Sequence, residues 1–317
     1  RRQRQMCIRD RAYLLTDSRY ATQCAHECFD VEVVIESSDL IAKAVSLTTG
    51  PELLVEGQHL TINELTRIQS EKPELKIQST RKIVEQFRLI KDSDELAAIS
   101  QACEISTSAL SQMAEQLRIG MTEREVALKL EYLMRDLGAE DRAFPSIIAT
   151  GSNSAIPHHQ PTDRKIAKGD LIKIDFGARF AGYHADCTRM FVAGTPANWQ
   201  QELHALVREG QRQARESLRH GVSTALVDST ARDYFSAHGM SQHFAHGLGH
   251  GVGLEIHEDP FFSQSHPTTL DSQTVVTIEP GAYLVDQGGI RIEDTVVVTE
   301  DGHTNLTNFP YELITID

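Results

Sequence analysis

Cysteine, positive charge and long apolar runs are all scarce in this 317-residue sequence. The five cysteines are an odd number scattered along a long chain, which argues against a disulfide framework and predicts reduced thiols. Cys24 and Cys28 flank His26 and Glu27, but this is not a zinc-finger spacing and no second ligand cluster lies nearby. We therefore interpret these cysteines as ordinary surface or core side chains.

The lack of long apolar runs and of basic charge limits the partners of the protein. No apolar run approaches the roughly 20 residues that a membrane-spanning helix needs, and no signal-peptide core precedes a small-residue cleavage site. The 31 basic and 45 acidic residues give a net charge of -14, which would repel nucleic acid and anionic membranes. The sequence predicts a cytoplasmic protein that binds neither nucleic acid nor membrane and acts on peptides or other small molecules.

Two domains are expected, because a single core rarely grows beyond about 250 residues. Residues 1–11 hold five arginines without apolar periodicity, and we interpret them as a non-native leader, with an authentic basic arm as the alternative. Residues 12–82 alternate strand and helix patterns, which predicts a partial N-terminal α/β domain. Residues 83–317 start with helical sequence and turn β-rich beyond Gly138, so this domain is predicted to be α+β.

Several helices are predicted in the second domain. Helix-forming sequence runs over residues 85–117. A capping box then opens the next helix, with Thr122 as the N-cap and Glu125 as the third helical residue. Two further helices are predicted over residues 199–218 and 223–238.

A pair of aspartates stands in two strand-like segments, 169–177 and 182–189. If these form a hairpin that turns at Phe180 and Ala181, Asp175 lies opposite Asp186, with Cβ atoms about 4.5–5.5 Å apart. Two like charges at that distance destabilise a sheet unless a cation lies between them. Divalent metal ions would supply that cation, and two solvated carboxylates on an exposed face are the equally weighted alternative.

Histidine and glycine are concentrated in residues 244–258, where His246, His250 and His257 occur among four glycines. Glycine weakens both helices and strands and permits close backbone approach instead. A single histidine is more often structural than functional, but this cluster favours a functional site.

Two glutamates, Glu279 and Glu293, interrupt apolar β-runs, so strands carry them toward an interior. Burying an unpaired carboxylate is costly. Together with Asp175 and Asp186 they would carry four negative charges, which two divalent cations would neutralise, and neutral His250 would add a nitrogen ligand. Such oxygen-rich ligation suits Mn²⁺ or a similar divalent ion.

These segments resemble the catalytic domain of the proline-specific metallopeptidases, aminopeptidase P and prolidase, which share the pita-bread fold with methionine aminopeptidase and creatinase. The resemblance covers residues 83–317 and implies a homodimer with two divalent ions per site, Mn²⁺ or else Co²⁺ or Zn²⁺. It implies that Glu279 also moves a proton, that His158 is a catalytic histidine, and that Arg291 lies beside the last ligand. The implied metal ligands are Asp175, Asp186, His250, Glu279 and Glu293. His246 and His257 are implied to contact substrate and the tetrahedral intermediate, and we interpret His159 and His243 as peripheral.

The implied reaction is hydrolysis of the bond before a proline at the second position of a peptide. A strict dipeptidase must bind the carboxylate that follows proline, and arginine suits this because its planar fork binds carboxylate through two hydrogen bonds. Prolidases that resemble this chain often carry such an arginine shortly after the substrate histidine. Here residues 251–278 contain no lysine or arginine, and Phe261 stands about where it would be.

The sequence therefore predicts an Xaa-Pro aminopeptidase that accepts peptides longer than dipeptides. The first alternative is an Xaa-Pro dipeptidase in which Arg291 or the partner subunit binds the carboxylate. A methionine aminopeptidase and a catalytically inactive peptide-binding module are the further alternatives.

Overall fold

The structure is a computed structural model that describes residues 11–317. The leader predicted at residues 1–11 lies, apart from Arg11, outside the described residues. The chain divides into two compact units, one ending at Phe87 and the other running from Arg88 to Asp317. The division falls a few residues beyond the predicted boundary at residue 82.

The first unit alternates strands and helices, as its sequence pattern predicts. Its strands form two parallel pairs, β1 with β2 and β3 with β4, and parallel neighbours need a crossover, here a helix, between them. Val45, Ile68 and Leu75 form its buried core. The elements are β1 (Tyr13–Thr16), α1 (Ala21–Glu27), β2 (Glu32–Ile35), α2 (Leu40–Leu47), β3 (Glu52–Glu56), α3 (Ile62–Glu71), β4 (Lys76–Thr80) and α4 (Ile83–Leu89), which ends just inside the second unit.

The second unit contains four long helices: α5 (Ser93–Ala114), α6 (Glu123–Asp136), α7 (Asn198–Glu216) and α8 (Thr224–Ala237). The capping box predicted for α6 is present, because Thr122 and Glu125 bond each other's backbone N–H groups. The helical sequence predicted over 85–117 is broken, since Asp92 caps a new helix after α4 has ended. No helix within residues 11–317 is long and apolar enough to cross a membrane.

The strands of this unit form four sheets, with the orders β16-β10-β7-β6, β11-β14-β15, β12-β13 and β5-β8-β9. Their bounds are β5 (Asp141–Arg142), β6 (Ile147–Thr150), β7 (Leu171–Phe176), β8 (Ala178–Phe180), β9 (Tyr183–His184), β10 (Cys187–Ala193), β11 (Val275–Ile278), β12 (Gly281–Leu284), β13 (Gly288–Arg291), β14 (Asp294–Val298), β15 (His303–Asn305) and β16 (Ile314–Ile316).

Two apolar cores hold these layers together. One lies between α5, α6 and the four-stranded sheet, and the other lies between α7, α8 and the strands β11 to β14. Ile172, Ile174 and Phe176 point from β7 into the first core. Since side chains alternate along a strand, Lys173 and Asp175 lie on the opposite face.

The predicted hairpin exists, but its register differs from the prediction. Asp175 pairs with Thr188 rather than with Asp186. The turn lies at Ala181 and Gly182, which have φ values of 49° and 82°, one residue later than predicted. Two successive positive φ angles characterise a tight hairpin turn whose twist matches that of the strands, and glycine favours it. Asp186 is thus diagonal to Asp175 on the same face, because it precedes Thr188 by two residues.

Candidate active site

Three buried side chains, two carboxylates and one imidazole, lie close together. Ligand atoms of Asp186, His250 and Glu293 all lie within 4.8 Å of one another. Asp186 precedes β10, His250 lies in the loop before β11, and Glu293 lies between β13 and β14. Within residues 11–317 no other such group is found, so the segment around Cys24 and Cys28 forms none.

The two remaining predicted ligands, Glu279 and Asp175, lie beside these three side chains. His250 Nε2 lies 3.6 Å from Asp186 Oδ2 and 3.4 Å from Glu279 Oε1. Asp175 contributes a buried Oδ1 that has no hydrogen-bond partner among residues 11–317, while its Oδ2 accepts from the Arg291 guanidinium. The structure therefore brings together the five side chains that the sequence singles out.

The carboxylates at this site oppose one another's ionisation. Burial, followed by repulsion from neighbouring carboxylates, raises the pKa of Asp186 and Glu293 well above the ordinary value. Burial raises the pKa of Glu279 to about 8, with Asp175 adding to the effect and Arg291 opposing it. These acids and the unpaired oxygen of Asp175 form a donor set that fits divalent cations with a preference for oxygen, because only cations would let all of them ionise.

His250 is oriented for ligation by its surroundings. Its Nδ1–H donates to the carbonyl oxygen of Gly251 at 3.0 Å, so Nε2 keeps a free lone pair on the side of Asp186 and Glu279. Burial lowers the pKa of His250 to about 4, which keeps the ring neutral at neutral pH. Gly249 is required beside it, since a Cβ there would lie 2.1 Å from the carbonyl oxygen of Thr277.

Thr277 links two of the five side chains. Its hydroxyl accepts from the backbone N–H of His250 at 3.0 Å and donates to Glu279 Oε1 at 3.3 Å. Thr188 acts similarly on the other side, donating to Glu293 Oε2 at 2.6 Å. Both threonines are fully buried.

The predicted histidines surround this centre in different ways. The His257 ring packs edge-on against His250, with 4.4 Å between ring centroids. His246 Nδ1–H donates to the carbonyl of Gly247, and its Nε2 accepts from the Tyr283 hydroxyl at 2.9 Å, so both of its nitrogens are engaged. His158 is exposed. Burial lowers the pKa of His257, and burial followed by repulsion from Arg291 lowers the pKa of His246 to about 4.

Arg291 links Asp175, one of the five clustered side chains, to Thr188 and Tyr283. Its guanidinium contacts Asp175 and donates to Thr188 Oγ1 at 3.1 Å and to Tyr283 Oη at 3.0 Å. Tyr283 therefore connects His246 to Arg291. Gly281 makes room for this, because a Cβ there would lie 2.5 Å from the Tyr283 hydroxyl.

The residues interpreted as peripheral have identifiable contacts outside the cluster. His159 is buried, and its Nε2 lies 2.8 Å from Glu123 Oε2. His243 Nδ1 lies 3.2 Å from the Tyr283 carbonyl.

Phe261 is 47% exposed, so it is not a core residue.

Sequence reasoning missed several supporting residues. Lys173, Thr188 and Thr277 each lie two positions from a predicted ligand, and Tyr283 follows Glu279 in the next strand. The period-2 rule for strands could have indicated the first three, because a polar residue two positions from a ligand shares its face. Tyr283 has no such signal.

A neutral imidazole among buried carboxylates, with further histidines beside them, defines a metal-dependent hydrolase site. The sequence matches metallopeptidase family M24 over residues 97–300 and the creatinase/prolidase N-terminal domain over residues 2–90. The chain therefore belongs to metallopeptidase family M24 and is a metal-dependent peptidase.

Individual relatives agree with this assignment. A Xaa-Pro dipeptidase of Pyrococcus furiosus is 39% identical over 309 residues, which are 95% of this chain and 88% of the relative. An X-Pro aminopeptidase structure from Thermotoga maritima is 39% identical with a TM-score of 0.90, covering 96% of this chain and 85% of that one. A Xaa-Pro dipeptidase structure from Bacillus anthracis is 33% identical with a TM-score of 0.93, covering 96% and 87%. The predicted α+β pita-bread fold is confirmed.

Proposed function

We propose that this protein is an Xaa-Pro dipeptidase, which hydrolyses the bond between a first residue and proline. The observation that carries the proposal is the gathering of Asp175, Asp186, His250, Glu279 and Glu293 beside three further histidines. The similar Pyrococcus furiosus protein is named Xaa-Pro dipeptidase. The names of the relatives thus favour the first alternative from the sequence over the aminopeptidase that was its main prediction.

The five clustered side chains would hold two divalent ions, for which Mn²⁺ is our first choice and Co²⁺ or Zn²⁺ the others. Such ions would supply positive charge at the substrate carbonyl and lower the pKa of water enough for attack at neutral pH. The oxygen-rich donor set supports Mn²⁺, because thiolate ligands are lacking in the cluster.

The protein's own side chains would carry the proton and steady the substrate. Glu279 would take a proton from the attacking water and deliver it to the proline nitrogen as the peptide bond breaks. His158 and His257 would donate hydrogen bonds to the carbonyl oxygen as negative charge develops on it, which is worth about 3 kcal/mol per donor in other hydrolases. Arg291 would hold the Asp175 carboxylate in its orientation through their hydrogen bond.

A second candidate, an Xaa-Pro aminopeptidase that acts on longer peptides, is favoured by one observation. Phe261 is exposed at the position where an arginine that binds the substrate carboxylate is expected in dipeptidases. Phenylalanine at this position cannot donate hydrogen bonds to a free carboxylate directly after proline.

The two candidates are separated by kcat/KM for Ala-Pro and Ala-Pro-Ala, with Met-Ala as the test for methionine aminopeptidase activity. A dipeptidase should prefer Ala-Pro by at least about tenfold, or roughly 1.4 kcal/mol of transition-state discrimination. Equal or better cleavage of Ala-Pro-Ala would instead establish the aminopeptidase. Cleavage of Met-Ala alone would contradict both.

A further inference from the structure

We infer that Lys173 is a positioning residue, which fixes the backbone at Pro157 and so aims the His158 ring at the substrate. The kinetic part of this inference rests on the proposed function, whereas its structural part does not. Lys173 lies on β7, two residues before Asp175 and on the same face of the strand.

The Lys173 side chain is fully buried and bonded to one short stretch of backbone. Its Nζ donates to the carbonyl oxygens of Ser154 at 3.3 Å, Ile156 at 2.7 Å and Pro157 at 3.2 Å. Burial, followed by repulsion from Arg291, lowers the pKa of Lys173 well below its ordinary value, whereas the three carbonyl acceptors match the three hydrogens of its charged form. All three acceptors lie within the four residues that directly precede His158.

A second buried cation strengthens the hold on Pro157. Arg291 Nη1 donates to the same Pro157 carbonyl at 3.1 Å. Lys173 also lies over the Tyr283 ring, with 5.2 Å between Nζ and the ring centroid, which favours a cation at this place. Lys173 therefore lies between the backbone that precedes His158 and the ring of Tyr283, whose hydroxyl bonds both His246 and Arg291.

The other flank of the segment is held by a buried anion. The Glu123 carboxylate accepts from the Thr150 backbone N–H at 2.8 Å, from the Asn153 amide at 2.9 Å and from the Thr162 backbone N–H at 3.0 Å. It also bonds His159 at 2.8 Å. Lys173 and Arg291 therefore bind carbonyl groups that precede His158, and the Glu123 carboxylate binds hydrogen-bond donors on both sides of His158.

The His158 ring is exposed, and within the described residues, 11–317, it forms no hydrogen bond or ion pair. No hydrogen bond of its own therefore fixes the ring, and its position follows the backbone at Pro157 and His159. A displacement of about 1 Å in such a group can cost about 100-fold in rate, so the lysine bonds matter for turnover.

The kinetic test compares Lys173→Met with Lys168→Met, the same substitution at an exposed lysine. With Mn²⁺-loaded enzyme and Ala-Pro as substrate, Lys173→Met should lower kcat at least about tenfold while KM stays within about twofold. In a His158→Ala background the same substitution should change kcat less than about twofold, because a residue that acts only through His158 has nothing left to position. Lys168→Met should leave kcat unchanged in both backgrounds.

The structural test uses hydrogen exchange on the metal-free protein. Lys173→Met should speed amide exchange in the peptide covering residues 151–162 by about tenfold and leave the helices α7 and α8 unchanged. Should Lys173→Met not fold, Lys173→Gln, which keeps two donor hydrogens, takes its place in both tests, and failure of both to fold would make Lys173 a folding residue and end the inference.

Three results would overturn the inference: unchanged kcat in a folded Lys173 variant, an equally large loss of kcat in the His158→Ala background, or unaltered exchange over residues 151–162. If the unmutated enzyme does not cleave Ala-Pro at all, the proposed function fails, and the exchange measurement alone decides on Lys173.

Discussion

Thr277 supports two of the predicted metal ligands, His250 and Glu279, without being one of them. Replacing it with valine would remove the donor to Glu279 and the acceptor for the His250 backbone N–H while keeping the volume. We expect Thr277→Val to weaken Mn²⁺ binding about tenfold, as loss of such outer partners does at other metal sites. Competition with a chelator would measure this. Thr304→Val, at an exposed position of β15, is the matched control, and equal affinity in both variants would refute the role of Thr277.

Phe261 lies at the position where we expect an arginine to favour dipeptides over longer peptides. An arginine there would offer two hydrogen bonds to the carboxylate of a dipeptide. Phe261→Arg should therefore raise the ratio of kcat/KM for Ala-Pro over Ala-Pro-Ala by at least about tenfold. Leu226→Arg adds the same charge at another exposed apolar position and should not change the ratio. An unchanged ratio in Phe261→Arg would show that this position does not face the substrate carboxylate.

At the scale of elements, the start of α6 anchors the segment that carries His158. Burial opposes ionisation of Glu123, but hydrogen bonds from Thr162, Asn153 and His159 overcome it and lower its pKa to about 2. A lowered pKa means that the contribution to stability is present above the ordinary value near 4.5 and is lost as the pH falls toward 2.

Glu123→Gln should therefore be less stable than the unmutated protein at pH 7, and the difference should shrink by up to about 3 kcal/mol as the pH falls from 4.5 to 2. Urea unfolding of the metal-free proteins, followed by the fluorescence of Trp199, the single tryptophan, would measure it. Glu115→Gln, at an exposed site, should show no such dependence. A pH-independent difference for Glu123→Gln would contradict the low pKa.

Sequence patterns predicted where helices and strands occur better than they predicted which strand residues pair. The helix starts at Thr122 and Ser223 were predictable because capping and turn residues act locally. The hairpin register was not, because the choice between turns at residues 180–181 and 181–182 depends on positive φ at Ala181, which is an unusual residue for it. The prediction that strands carry Glu279 and Glu293 toward an interior is confirmed, since Glu293 is buried and the Glu279 side chain is only 16% exposed.

Contacts between segments that are distant in sequence could not be predicted from the sequence. The bonds from Lys173 to Ser154, and from Arg291 to Pro157, join segments far apart in sequence, and no local propensity encodes them. The role of each predicted site residue, and the homodimer implied by the family resemblance, stay predictions. Sedimentation velocity would test the homodimer.

For the molecule as a whole, the gathering of four acids in one site means that activity should depend on bound metal. The ligands must be deprotonated to bind metal, so acid should inactivate the enzyme by releasing the metal ions. Asp186→Ala and Glu279→Ala should each abolish Ala-Pro hydrolysis in a way that added Mn²⁺ does not restore. Recovery of either variant in excess Mn²⁺ would mean that the missing carboxylate is not a ligand.

The most direct test of the account is Ala-Pro hydrolysis measured against metal content in one preparation. Chelation should abolish hydrolysis, and titration of the metal-free protein with Mn²⁺ should restore it, reaching a plateau at two ions per chain, because the Arg291 guanidinium offsets one of the four clustered negative charges and leaves three to be neutralised. Hydrolysis that persists after metal removal has been verified by elemental analysis would contradict the account.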